Sequence, residues 1–177
     1  MKEPCLKTRT FFLKGSSNQF EWVLGLYDQA LSLKAETKAK KQAKEVIKLD
    51  RWYQNELPRT LHTRLEDGTH LTYEEMVQTM KWKLARGKFR PNLVNLIQMN
   101  SQADVVKYTK EAFSTLAKKG DLQAAANILC NMKGVGPATA SAVLAAGVVL
   151  IQLSNCIQTK SLYKRLFISA FFLNIFR

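Results

Sequence analysis

Leu129-Cys130-Asn131-Met132-Lys133-Gly134-Val135-Gly136-Pro137-Ala138-Thr139-Ala140-Ser141-Ala142-Val143-Leu144 is the stretch whose reading decides the fold. Before it, Leu122, Ala125, Ile128 and Leu129 recur at helical spacing, and Asp121 is placed to cap their helix. That helix is expected to end near Met132. Lys133-Gly134-Val135-Gly136 then reads as a tight turn, because glycine permits positive φ and close backbone approach. Pro137 suits the first position of a second helix, where its missing N–H costs nothing. Ala138, Ala140, Ala142 and Ala145 keep that helix slim, and Val135 is placed to plug the space between the two. The unit is a helix-hairpin-helix, expected over residues 121–146.

A turn of this kind has a chemistry. The amides of Val135 and Gly136, with the first amides of the second helix, lack intrahelical acceptors. They lie at the positive end of a helix dipole, which makes a phosphate site. Composition points the same way. The 177 residues hold 27 Lys+Arg against 14 Asp+Glu, a net charge of +13. Such an excess implies an anionic partner, either nucleic acid or an anionic membrane surface. No membrane span is expected, because the apolar stretches 142–151 and 166–176 fall short of the ~20 residues needed. Nor does Phe11-Phe12-Leu13 make the core of a signal peptide. Cys5, Cys130 and Cys156 are odd in number and far apart, and His62 and His70 are isolated. No disulfide framework, metal centre or cofactor is read from them, and a nuclear or other reducing intracellular compartment is expected.

Outward from the hairpin the pattern is helical, with no alternating strand signal, so an all-α fold is expected. Residues 1–17 read as a loose arm, 18–147 as one helical domain and 148–177 as an apolar and basic tail. Phe20, Val23, Leu24, Tyr27 and Leu31 form a stripe for one helix over 18–33. A lysine-rich helix follows over 37–55, with Val46, Ile47 and Trp52 inward, Lys38, Lys40, Lys41, Lys44 and Lys48 solvated, and Pro58 closing it. Asp67-Gly68 marks a turn. Thr72 and Glu75 form a capping box for a helix over 72–86, with Leu71 stapled onto Met76. Its buried face is expected to be Tyr73, Met76, Val77, Met80 and Leu84, and Gly87 ends it. Pro91 opens a short helix to Met99. Ser101 caps another that Gly120 ends near Lys119.

The hairpin stretch resembles the helix-hairpin-helix of the DNA glycosylase superfamily, whose pattern is Leu-x-Gly-Val-Gly-x-x-Thr-Ala. Met132, Gly134, Val135, Gly136, Thr139 and Ala140 fill it, with Met in place of Leu. Met80-Lys-Trp-Lys-Leu-Ala-Arg-Gly-Lys-Phe-Arg-Pro91 also looks like an uncharacterised branch of glycosylase-like proteins, which extends the likeness over 20–146. The resemblance implies a partial glycosylase-like helical domain. It further implies that Gly134, Val135 and Gly136 hold DNA phosphate through backbone amides, with a monovalent cation at the hairpin and help from Lys133 and Thr139.

The family's chemistry is not filled in. Its catalytic aspartate follows the hairpin, in a stretch that here lies near Cys156, and no Asp or Glu occurs after Asp121. Bifunctional members carry a lysine nucleophile two residues beyond the second hairpin glycine, where this chain has Ala138; a methyl cannot attack a sugar. Residues 122–177 hold five basic residues and no acidic one, and the likeness stops at Ala146. Two origins for the tail stay open: a truncated or alternatively spliced end, or a divergent helix packing on the core. Three functional classes follow. The first is a DNA-binding module that grips backbone irrespective of sequence and lacks glycosylase chemistry. The second is a glycosylase with an unconventional acid that flips its base into a pocket. The third is a helical protein-interaction scaffold.

Other constellations are plainer. Lys81, Lys83, Arg86, Lys88 and Arg90 interleave with Trp82 and Phe89 and are candidate auxiliary DNA contacts. At a helix C-terminus, dipole stabilisation also accounts for such cations, and Trp82 is expected partly in the core. The Lys34–Lys48 run could cover DNA flanks, but such a run is more often a solvated helix face. Glu75 is committed to its cap, Glu66-Asp67 has no signal of burial, and Cys130 lies on an apolar helix face.

Overall fold

The computed structural model describes residues 14–87, 90 and 92–154. The expected N-terminal arm lies mostly outside these residues, as do Lys88, Phe89, Pro91, Cys156 and the end of the tail. The described chain is all-α, with no strand. Its helices are α1 (Ser17–Gly25), α2 (Tyr27–Glu36), α3 (Lys40–Arg51), α4 (Leu57–Thr63), α5 (Tyr73–Arg86), α6 (Asn92–Gln98), α7 (Gln102–Lys119), α8 (Leu122–Leu129) and α9 (Pro137–Ser154).

Contacts divide the chain into two compact units, one through Ile47 and one from Lys48, where the sequence reading drew one helical domain over 18–147. In the first unit the expected single helix over 18–33 is two. Ser16 caps α1 in a capping box, and the helix breaks at Leu26 after Gly25, a poor helix former. Of the apolar stripe, Phe20, Val23, Tyr27 and Leu31 are half-buried and Leu24 is exposed; outside it Trp22 is 69% exposed, and Leu26 and Leu33 are exposed as well.

In the second unit, Pro58 does not close a helix. Residues Trp52–Glu56 form a π-helical turn, and the Leu57 amide reaches back to the Trp52 carbonyl. A proline ring would clash with the carbonyl four residues earlier in a regular helix. The wider π turn displaces that carbonyl, so Pro58 sits in the first turn of α4 and the chain stays helical.

The capping box of α5 forms as read: Thr72 Oγ1 accepts from the Glu75 amide at 3.3 Å and Glu75 Oε2 accepts from the Thr72 amide at 2.8 Å. Arg64 clamps the same carboxylate through two bonds, of 2.6 and 2.9 Å. Leu71 and Met76 are both buried. Of the expected inner face, Met76, Val77, Met80 and Leu84 are buried while Tyr73 is half-buried; Thr79, Trp82 and Arg86 join it. Ser101 caps α7, left-handed Gly120 ends it, and Asp121 caps α8. The core of this unit runs from Leu49 through Leu61, Met80, Trp82 and Leu129 to the alanines of α9. α9 continues past Ala146 to Ser154.

Candidate nucleic-acid interface

α8, the turn and α9 form the expected hairpin. Val135 is buried between the helices, and Ala140, Ala142 and Ala145 are buried on α9 while Ala138 is exposed. The two glycines have separate duties. Gly134 is left-handed, at φ +78, and an added Cβ would lie 2.9 Å from Leu96 Cβ and 3.2 Å from the Ile97 amide nitrogen. Its close approach is therefore to α6. Gly136 is not among the positive-φ glycines, and an added Cβ there meets nothing within 4 Å. The open side of the turn is at Gly136.

The amides sort in the same way. Val135 N–H donates to the Met132 carbonyl at 3.2 Å, so its expected availability for phosphate is corrected. Lys133 N–H donates to Asn100 Oδ1 at 2.8 Å, and Asn100 Nδ2 returns a bond to the Lys133 carbonyl at 3.0 Å. Asn100, which sequence reasoning did not single out, thus clamps the entrance of the turn through its side-chain amide. Nothing in local sequence marks an asparagine for a partner 33 residues away. Gly136 and Ala138 make no amide hydrogen bond among the described residues. These two donors open α9, a long helix, at the positive end of its dipole. The carbonyls of Met132, Lys133 and Gly136 already accept bonds within the protein.

The auxiliary cations separate just as sharply. Lys133, Lys81 and Arg90 are exposed. Lys83 reaches across from α5 and donates to Thr139 Oγ1. Thr139 is 1% exposed, so its expected contact with DNA is replaced by this internal bond. Burial, and secondarily the charge of Arg90, push the Lys83 ammonium below the usual lysine value. Lys83, Arg90 and the start of α9 are thereby gathered in one place.

Arg86 is a correction. It is 1% exposed, its Nη1 lies 3.3 Å from Asp50 Oδ1, and its guanidinium lies 4.8 Å from the centre of the Trp82 ring. Trp82 donates its indole N–H to the same Asp50 oxygen at 2.9 Å and stacks on Tyr53 at 3.5 Å between centroids. Tyr53 in turn donates to the Ala142 carbonyl at 2.7 Å. A buried chain of contacts therefore joins α3, the π turn and α5 to α9. Arg86 holds the core and does not reach nucleic acid. Among the described residues no group of His, Cys, Asp or Glu could hold a metal ion.

No family model, no curated protein and no solved structure matches this chain.

Proposed function

We propose that this protein binds the sugar-phosphate backbone of DNA through the opening of α9, irrespective of sequence and without glycosylase chemistry in this form. The observation that carries the reading is the pair of unengaged amides of Gly136 and Ala138, beside a glycine with open space. A phosphate oxygen needs such donors, a positive helix end and room to approach. Arg90, Lys133 and Lys83 add positive charge around it, and affinity of this kind falls steeply with salt. The exposed methyl of Ala138 stands where a nucleophilic lysine would be needed, so gripping rather than strand chemistry is what the site supports.

Gly136→Ala tests the proposal. The residue has a conformation open to any L-amino acid and no neighbour to displace, so the fold should stand while the methyl occupies the phosphate's place. Fluorescence anisotropy with labelled duplex DNA should show wild-type binding that weakens with salt and an affinity at least about tenfold lower in the variant. That loss corresponds to one or two charge-assisted hydrogen bonds. Equal binding by a folded Gly136→Ala would reduce the hairpin to a turn. Base release from damaged duplex would instead bring the glycosylase reading forward.

A further inference from the structure

α3 carries Lys40, Lys41, Lys44, Lys48 and Arg51, all exposed. At 100° per residue, these five side chains fall within an arc of about 100°. Val46, Leu49 and Asp50, on the opposite side, are buried. Among the residues of α3 itself, the only acid bordering the arc is Glu45. None of the five cations has an ion pair or hydrogen bond among the described residues. Arg64 and Arg86, by contrast, are both paired to carboxylates.

Such a face opposes helix formation. Lys40 with Lys44, and Lys44 with Lys48, are like charges one turn apart, and alternating acids would relieve them easily. We infer that the exposed face of α3 is a second binding surface, for the phosphate backbone of a duplex nucleic acid. A twelve-residue helix is about 18 Å long. A duplex presents a phosphate on each strand about every 3.4 Å of its axis, so the five cations span about five phosphates of one strand. A lipid surface fits less well. A helix lying in a membrane interface inserts its apolar face, and the apolar face of α3 is already buried in protein. Single strands fit less well too, because α3 offers no aromatic platform for bases; just beyond it Trp52 is half-buried against the core and Tyr53 is buried. The surface shares its ligand class with the hairpin site but rests on different residues.

The full chain is compared with two triple variants, Lys41→Gln/Lys44→Gln/Lys48→Gln and Lys41→Arg/Lys44→Arg/Lys48→Arg, using a labelled duplex of mixed sequence across a salt series. The glutamine triple should lower the slope of log affinity against log salt by about 2 to 3, at about 0.9 per lost phosphate contact. The arginine triple should keep the wild-type slope. A glutamine triple of wild-type helicity and unchanged slope overturns the proposal, and so does an equal loss in both triples, because charge would then not be the cause. Tighter wild-type binding to phosphatidylserine vesicles than to the duplex also overturns it. Gly136→Ala separates the two sites: if it binds like wild type while the glutamine triple loses slope, the hairpin reading falls and α3 stands. The reverse pattern removes α3 alone.

Discussion

α3 and the second half of α5 are both rich in cations, yet they send them in opposite directions. On α3, Lys40, Lys41, Lys44, Lys48 and Arg51 share one exposed face. On α5, Arg86 is drawn into the core by Asp50 and Trp82, and Lys83 is drawn half inside by Thr139, while Lys81 stays exposed. The difference lies in the partners each face meets. A guanidinium can be buried where a carboxylate and an aromatic face receive it; desolvation alone would forbid it. Lysines without such partners remain in water, where they are available to an outside polyanion.

The largest test of this contrast is Asp50→Ala. It leaves the guanidinium of Arg86 buried without its carboxylate, and unfolding in urea should show a loss of about 3 to 5 kcal/mol. Lys44→Gln on the exposed face should change stability by less than about 0.5 kcal/mol. Similar midpoints for the two variants would break the comparison.

A smaller test moves to the hairpin, where the two glycines make the same contrast between an inward and an outward role. Gly134→Ala forces a methyl into a left-handed backbone and against Leu96. The strain should cost about 1 to 2 kcal/mol from conformation alone, with more from displaced α6. Gly136→Ala should leave thermal stability nearly unchanged. If the two variants unfold alike, Gly134 has no special duty.

The subtlest test concerns Lys83. Its pKa is lowered, mainly by burial, so the folded state resists its protonation more than the unfolded chain does. The penalty is fully present at neutral pH and is relieved as pH rises through the lowered folded value toward the ordinary 10.5. Wild type should therefore gain stability relative to Lys83→Met over that alkaline window, read as a narrowing or reversal of the difference in urea midpoints. A difference that stays constant with pH would mean that Lys83 titrates like a solvated lysine.

Much of the fold was legible because its signals are local. The capping box of Thr72 and Glu75, the caps at Ser101 and Asp121 and the stop at Gly120 each depend on a few neighbouring residues. The hairpin string was legible for the same reason. The break at Leu26 and the π turn before Pro58 were missed, because periodicity extends a helix until a breaker appears and does not report a wider turn that accommodates one.

The sequence by itself determined that the chain is helical, strongly basic and equipped with a Gly-Val-Gly turn opening a long helix. Those properties follow from propensity, charge count and spacings of a few residues. Only the tertiary structure decided which glycine faces a neighbour and which faces open space. It also decided that Val135 and Lys133 spend their amides internally, and that Arg86 and Thr139 are core residues. Apart from Val135, whose amide bonds to nearby Met132, these outcomes depend on partners distant in sequence: Leu96 for Gly134, Asn100 for Lys133, Asp50 for Arg86 and Lys83 for Thr139. A residue's type sets what it can bind, but burial and the neighbours that folding delivers decide whether that capacity is used inside or left at the surface.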